Sequence, residues 1–291
     1  MTPRIDAHHH VWDLGRRPHH WLDGQESAAI RRDFGLGDLA GPAAAAGVTG
    51  TVLVQVLPDP AETAEFLALA AGSELVAGVV GWVDLTAGAA VGERLAELRA
   101  GPGGELLVGV RHLVQGEADD RWLCRPDVRR GLAAVAAAGL AYDLLVLPHQ
   151  LPAAVDTVRA LPGLTFVLDH LAKPPIAAGR REPWAGLLGE LAGAPNVYAK
   201  LSGLVTEADH AGWTVAALRP YAETALAAFG PGRLMFGSDW PVCLLAASYA
   251  EVVAAAEELT AALSPAERAG VFGGVAARAY RLPTPPGRLD E

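Results

Sequence analysis

The segment Thr51-Val-Leu-Val-Gln-Val-Leu57 is apolar at almost every position, and residues 60–71, which follow it, are rich in Ala, Leu and Glu at helical spacing. A continuous apolar strand is typical of a parallel sheet that helices cover on both faces, because neither face of such a sheet contacts water. The same alternation recurs along the whole chain. The other predicted strands are 4–11, 75–85, 106–113, 140–147, 164–171, 196–204 and 233–242.

Helical segments separate these strands, and several of them are followed by a glycine suited to ending a helix. The predicted helices are 38–46, 60–71, 91–100, 127–138, 152–161, 184–192, 214–229 and 248–262, and the glycines are Gly47, Gly72, Gly139 and Gly230. Eight strand-helix units predict an α/β fold, a single (β/α)8 TIM-type barrel. An open doubly wound sheet would show the same alternation, but no GxGxxG or Walker-type turn follows the first strand.

The barrel is predicted to form one domain over residues 1–291, since no linker divides the chain. Residues 263–281 predict an extra terminal helix that begins at Ser264-Pro265. Residues 283–291 predict a flexible polar tail.

The composition restricts the partners of the protein. With 51% hydrophobic residues and a formal net charge of -10, the chain can bury a large core but lacks the basic surface that nucleic acid or anionic lipid requires. Two cysteines are too few for a disulfide framework, and the N-terminus lacks the apolar stretch of a signal peptide. We therefore expect a cytoplasmic protein that binds a small molecule, neither nucleic acid nor membrane, with a homo-oligomer left open.

Polar residues occur where the predicted strands end, and in such barrels these ends converge on one mouth. His8 and His10 are two residues apart and share a face of the first strand, whereas His9 faces the other way. A His triplet can also be a tag or a solvated cluster, but the strand-like flanks of this one argue against both. The other strand-end residues are Gln55, Trp82, Asp84, Arg111, His112, Asp169, His170, Lys200, Ser202, Asp239 and Trp240.

Six motifs occur in order along the chain: Asp6-Ala-His-His-His-Val-Trp12, Gly109-Val-Arg-His112, Tyr142-Asp-Leu-Leu145, Leu168-Asp-His-Leu-Ala-Lys-Pro174, Lys200-Leu-Ser-Gly203 and Phe236-Gly-Ser-Asp-Trp-Pro241. With these motifs at the ends of the predicted strands, the chain resembles the amidohydrolase superfamily over nearly its whole length. The resemblance is to the branch of sugar-acid and dicarboxylate lactonases. The resemblance implies an amidohydrolase-like barrel with His8, His10, His170 and Asp239 as the catalytic cluster. It also implies that Arg111 holds the substrate.

The chain departs from the metal-rich members of that superfamily, which have a histidine on strand 5 or a bridging lysine or carboxylate on strand 4 or 5. Strand 5 here has Asp143, and His149 lies in the loop beyond it. The four residues of the catalytic cluster would still be able to hold one divalent cation such as Zn²⁺. A lactone is an activated ester, however, and histidine donors can polarise its carbonyl without a Lewis acid. We therefore expect no required metal or other cofactor.

The expected reaction is hydrolysis of a small lactone, in the first place a sugar (aldono) lactone. Asp239 is predicted to deprotonate the attacking water, while the three histidines of the cluster stabilise the oxyanion. A serine nucleophile is not supported, because the chain has no GxSxG turn.

A second group of residues near the strand ends is predicted to bind the substrate together with Arg111. It consists of Gln55, Trp82, Asp84, His112, Asp143, Lys200 and Trp240. Each has a structural interpretation too, because Asp84 would equally cap a helix, Lys200 would pair with a carboxylate, and tryptophans often pack in the core. Glu117, in the loop after strand 4, is either a substrate-selecting residue or part of an acidic surface.

Two other functions stay open on the sequence. A metal-dependent decarboxylase, or another amidohydrolase, would use the same histidines and strand-8 aspartate, and its metal content would distinguish it. A non-catalytic sugar-acid binding protein would keep the pocket without turnover. Among lactonases, a sugar lactone is favoured over a dicarboxylate because Arg111 is the one evident strand-end arginine, although Arg121 or Arg125 would overturn that inference.

Overall fold

The computed structural model describes residues 3–282, and its eight strands form one parallel sheet in sequential order. The strands are β1 Ile5–His9, β2 Gly50–Val54, β3 Val76–Gly81, β4 Leu107–His112, β5 Ala141–Leu144, β6 Phe166–Leu168, β7 Val197–Leu201 and β8 Leu234–Phe236. Each strand is shorter than the sequence predicts, because the chain turns out of the sheet where the polar strand-end residues begin. The predicted tail, residues 283–291, lies outside the described residues.

The sheet closes on itself where the chain leaves β8 and passes the end of β1. The amide of His10 donates to the carbonyl of Trp240 at 2.7 Å, and the amide of Asp239 donates to the carbonyl of His8 at 2.9 Å. These contacts join the last strand to the first. They confirm the predicted (β/α)8 barrel and bring the first and last polar strand ends together.

Helices follow the strands and pack around the barrel. They are α1 Leu36–Ala45, α2 Pro60–Ala71, α3 Ala90–Ala100, α4 Pro126–Ala137, α5 Leu151–Ala160, α6 Trp184–Ala192, α7 Val215–Phe229 and α8 Tyr249–Leu259. The larger apolar core lies between these helices and the strands. Within residues 3–282, no helix is long and apolar enough to cross a membrane.

The predicted terminal helix over residues 263–281 begins after Ser264 as expected, but it is interrupted. The segment forms α9, Pro265–Ala269, a π-helical turn at Gly270–Gly274, and α10, Val275–Ala279. The turn brings Gly273 against the start of the chain, where an added Cβ atom would lie 2.0 Å from the carbonyl oxygen of Pro3. A side chain does not fit in that contact. After it, α10 packs against the apolar interior of the barrel.

Candidate active site

The barrel mouth brings the predicted histidines of strand 1 into direct contact. The Nε2 atoms of His8 and His10 lie 3.0 Å apart, and both side chains are buried. His9 is also buried, but neither of its ring nitrogens has a hydrogen-bond partner among the described residues. Burial lowers the pKa of His9 to about 3, so the ring is neutral. Only His8 and His10 therefore belong to the polar cluster.

His170 enters the cluster through an unusual turn after β6. Residues 170–173 all have positive φ angles, between 50° and 59°, which side chains disfavour by about 1–2 kcal/mol per residue. An added Cβ atom at Gly203, itself at φ +69°, would lie 2.8 Å from the Cβ atom of His170. Strain of this kind concentrates at functional sites. Here it points His170 at the barrel mouth, with its Nδ1 atom 2.8 Å from the Ser202 hydroxyl.

Asp239 follows β8 and lies at the centre of the three histidines. Its Oδ1 atom is 3.7 Å from the Nε2 atom of His8, 3.5 Å from that of His10 and 3.8 Å from that of His170. The turn that holds it is fixed by Ser238, whose amide donates to Asp6 at 2.8 Å and whose hydroxyl accepts from the Trp240 amide at 3.0 Å.

The electrostatics of this cluster favour an ionised carboxylate among neutral imidazoles. Burial opposes ionisation of Asp239, but His170 and His10 together hold its pKa below the usual value of 3.8. Burial lowers the pKa of His170 to about 4 in spite of the nearby carboxylates. At neutral pH the cluster therefore contains one proton acceptor and several hydrogen-bonding rings.

Arg111, at the end of β4, is held by two neighbours. Its Nε and Nη2 atoms donate to the Gln55 side-chain oxygen at 3.2 and 2.9 Å, and its Nη1 atom donates to Asp169 at 3.0 Å. Nη1 also lies 3.3 Å from the Nε2 atom of His8. The guanidinium therefore faces the histidine cluster with its orientation fixed.

A buried ionic network lies beneath the cluster. The Lys200 ammonium is 2.6 Å from Asp143, 2.9 Å from Asp169 and 2.9 Å from the Nδ1 atom of His8. The Tyr280 hydroxyl donates to Asp143 from α10's C-terminal end at 2.7 Å. Two carboxylates and two cations, Lys200 and Arg111, balance one another, which is the condition for burying such charges without a large penalty.

His10, His170 and Asp239 of the cluster line a cavity of about 220 Å³ at the barrel mouth, whereas His8 is fully buried and does not line it. Its polar lining consists of His10, Arg111, Gln115, His170, Lys173 and Asp239, and its apolar lining of Trp21, Val56, Leu113, Leu145 and Val242. A larger cleft of about 360 Å³ lies beside α2, but none of the cluster residues lines it. The smaller cavity is therefore the candidate active site.

Seven residues predicted to bind substrate do not line this cavity, and their role in binding stays a prediction. Gln55, Asp143 and Lys200 are fully buried, and their polar atoms are engaged with other buried groups of the site. Gln55 hydrogen-bonds Arg111 and Lys200 hydrogen-bonds His8, both away from the cavity. Trp240 is buried against Phe34 at a ring distance of 5.3 Å and belongs to the core.

The remaining three lie to one side of the mouth. Asp84 is exposed and accepts from the Thr86 amide at 2.9 Å, so it caps a short helix. His112 stacks on Trp122 at 4.2 Å and is bonded by Trp82 at 3.0 Å. The His112 Nε2 atom also lies 2.8 Å from Glu117, so the ring has no polar atom free to bind a substrate.

The cavity also contains residues that the sequence did not single out. Trp21 and Gln115 come from loops whose path the sequence pattern does not predict. Lys173 lies three residues after His170 in the same motif, and this proximity could have indicated that Lys173 reaches the cavity. The cavity therefore has a second cation besides Arg111, whereas Arg121 and Arg125 pair with Asp156 and Asp127 on the surface.

Comparisons with known proteins agree with this architecture. A family model described as Amidohydrolase matches residues 5–282, so the chain belongs to the amidohydrolase family. The L-fucono-1,5-lactonase of Burkholderia ambifaria is 42% identical over 99% of this chain and 98% of its own, and that of Burkholderia multivorans is 43% identical over 97% of each. The crystal structure of a zinc-bound Burkholderia multivorans amidohydrolase is 40% identical, has a TM-score of 0.91, and covers 97% of this chain and 100% of its own.

The cluster has the donor set that a divalent cation requires. The Asp239 oxygen lies 3.5–3.8 Å from three imidazole nitrogens, and neighbouring ligands of a tetrahedral zinc lie about 3.3–3.4 Å apart at ordinary bond lengths. His8, His170 and Asp239 alone offer three ligand atoms within 4.8 Å of one another. The residues present therefore fit a metal, as the sequence indicated.

Proposed function

We propose that this protein hydrolyses an aldonolactone by direct attack of water on the ring carbonyl. The observation that carries the proposal is the position of the Asp239 carboxylate, which is the central anion of the cavity and has three imidazole nitrogens within 3.8 Å. Both lactonase relatives are named for this chemistry with L-fucono-1,5-lactone. Their similarity over almost the whole chain supports a lactone as the substrate.

Asp239 is proposed to bind the attacking water and take its proton. Its lowered pKa keeps it ionised at neutral pH, so it is ready to accept that proton. Arg111 and the His170 imidazole stabilise the negative charge that develops on the carbonyl oxygen. When the ring C–O bond breaks, the proton held by Asp239 passes to the departing alkoxide. Water is thereby added across the ester, and Asp239 returns to its ionised form.

The lining of the cavity supports a sugar lactone with an apolar end. Val56, Leu113, Leu145 and Val242 form an apolar wall, and Trp21 lies 42% exposed at the mouth. A methyl group in place of a sugar hydroxymethyl, as in a 6-deoxy sugar, would be favoured against that wall. L-Fucono-1,5-lactone has such a methyl group.

A pH-indicator assay across a panel of lactones tests the proposal. The panel consists of L-fucono-1,5-lactone, its hydroxymethyl counterpart L-galactono-1,5-lactone, several aldono-1,4-lactones and a pyrone dicarboxylate lactone, each corrected for spontaneous hydrolysis. We expect the highest kcat/KM with the 6-deoxy 1,5-lactone. Acid release no faster than the background with every sugar lactone would reject the proposal and favour a binding protein or a different amidohydrolase reaction.

Arg111→Lys is expected to impair hydrolysis although it keeps the positive charge. A lysine cannot bond Gln55 and Asp169 at once in the fixed geometry of the guanidinium, so the cation would lose its orientation towards the carbonyl. We expect kcat/KM to fall by about 10- to 100-fold, the loss of one or two charged hydrogen bonds. Steady-state kinetics on the best lactone would measure it, and wild-type values would remove Arg111 from the reaction.

A metal is proposed to be dispensable for this reaction. A cation bound by His8, His10, His170 and Asp239 would act as a Lewis acid on the carbonyl oxygen. Arg111, however, already places a positive charge at the cavity, with its Nη1 atom 3.3 Å from the Nε2 atom of His8. We expect exhaustive chelation to leave a substantial part of the lactonase activity, with metal content measured on the same sample. Near-complete loss that Zn²⁺ or Mn²⁺ restores would contradict this.

The cytoplasmic location and the homo-oligomer stay predictions of the sequence.

A further inference from the structure

The hydrogen-bond contacts of His8 depend on which ring nitrogen carries its proton. Nδ1 lies 2.9 Å from the Lys200 ammonium, a group that donates and never accepts. Nε2 lies 3.0 Å from the Nε2 atom of His10. The other nitrogen of His10, Nδ1, lies 2.8 Å from the Val54 carbonyl and so must donate to it. His10 therefore presents a lone pair at Nε2 towards His8.

One tautomer of His8 satisfies both of these contacts. With its proton on Nε2, His8 accepts from Lys200 and donates to His10. With its proton on Nδ1, two donors would meet at 2.9 Å and two lone pairs would meet at 3.0 Å. That second form gains the weaker contact with Arg111 at 3.3 Å, and it turns the Nδ1 proton towards Asp169, 3.4 Å away.

We propose that Lys200 is a positioning residue that fixes the His8 proton on Nε2 and thereby weakens the binding of a metal cation by the cluster. A metal would need a lone pair at that same nitrogen, and the His8 proton would then have to move to Nδ1, against Lys200.

The consequence for the cluster is that His8 and His10 bind each other. The Nε2 proton of His8 is engaged with the lone pair of His10, so neither of these nitrogens offers a free lone pair to a cation. The inference does not rest on the proposed lactone hydrolysis, because it concerns the protein without substrate.

The test compares the wild type with Lys200→Met/Asp143→Asn. The double variant removes the donor to His8 and one carboxylate together, so the buried network keeps its charge balance. Tyr280→Phe is the matched control, since it removes a hydrogen bond to Asp143 in the same network without contacting His8. Thermal melting of all three proteins checks that they are folded.

Two readouts do not involve the reaction. Nitrogen-15 NMR of the imidazoles should show the wild-type His8 protonated at Nε2, with the resonance assigned by its loss in His8→Asn. Zinc affinity of the metal-free proteins, measured by competition with a chelating dye, should rise about 10- to 100-fold in the double variant and stay unchanged in Tyr280→Phe. The rise follows because His8 can then donate from Nδ1 to Asp169 while Nε2 binds the ion.

A wild-type His8 protonated at Nδ1 would overturn the inference even if the double variant failed to fold. Zinc binding by the double variant no tighter than by Tyr280→Phe would overturn it as well. If no lactone were hydrolysed while both substrate-free readouts came out as expected, the proposed function would fail and the role of Lys200 would stand.

Discussion

Asp239→Asn is expected to lower kcat on the best lactone by about 10²- to 10⁴-fold, the usual contribution of a general base. The amide keeps the shape of the side chain but cannot accept the proton of the attacking water. The fold should survive, because the residue lies at the cavity and its backbone amide still donates to the His8 carbonyl at 2.9 Å. Steady-state kinetics and thermal melting measure the two quantities.

The matched control is Asp127→Asn, the same chemical change at the beginning of α4, where the carboxylate pairs with Arg125 on the surface. It should keep wild-type turnover, because Asp127 contacts no cavity residue. A folded Asp239→Asn protein with near-normal turnover would show that another group activates the water, with His170 or a bound metal as the next candidate.

His170→Asn should reduce kcat by about 10²- to 10³-fold, the cost of removing one group that stabilises an oxyanion. Asparagine tolerates the positive φ of 50° better than most residues, and its amide can replace Nδ1 beside the Ser202 hydroxyl. The variant therefore removes the Nε2 atom near Asp239 with little change to the backbone. Kinetics on the same lactone measure the loss.

His210→Asn, on an exposed loop, makes the same substitution outside the cavity and should leave turnover unchanged. A His170→Asn protein that melts like the wild type and keeps its turnover would exclude His170 from the reaction. If the melting temperature and kcat fell together, His170→Gln would separate the loss of stability from the loss of catalysis. Its longer side chain restores a hydrogen-bonding group near the Nε2 position.

Barrel geometry makes the predicted strand ends converge, and His8, His10, His170 and Asp239 each lie at or just after such an end. The resemblance to the amidohydrolase superfamily, and not periodicity alone, singled out these four residues. Strand boundaries were less accurate, since positive-φ turns such as 170–173 continue an apolar pattern without continuing the strand. The break at Gly273 depends on a contact with Pro3, which is distant in sequence.

The roles of the surrounding polar residues could not be predicted from strand register. Asp143 and Lys200 are on strands whose ends reach the mouth, but their side chains satisfy each other at 2.6 Å below it. Which of two inward residues reaches the cavity depends on the depth of the barrel and on the partners opposite. Trp21 was missed for another reason, because a loop of this length has no periodicity that indicates where it folds back.

The attack of Asp239-activated water on the carbonyl is tested most directly by a single turnover in ¹⁸O-water, with enzyme in excess over the lactone. The account predicts that the new carboxylate of the product carries the label from the first turnover and that Asp239 stays unlabelled. A parallel sample of Asp239→Asn measures spontaneous hydrolysis, which is subtracted from the product signal. An unlabelled product together with ¹⁸O in the Asp239 carboxylate would contradict it, because Asp239 would then have attacked the lactone itself.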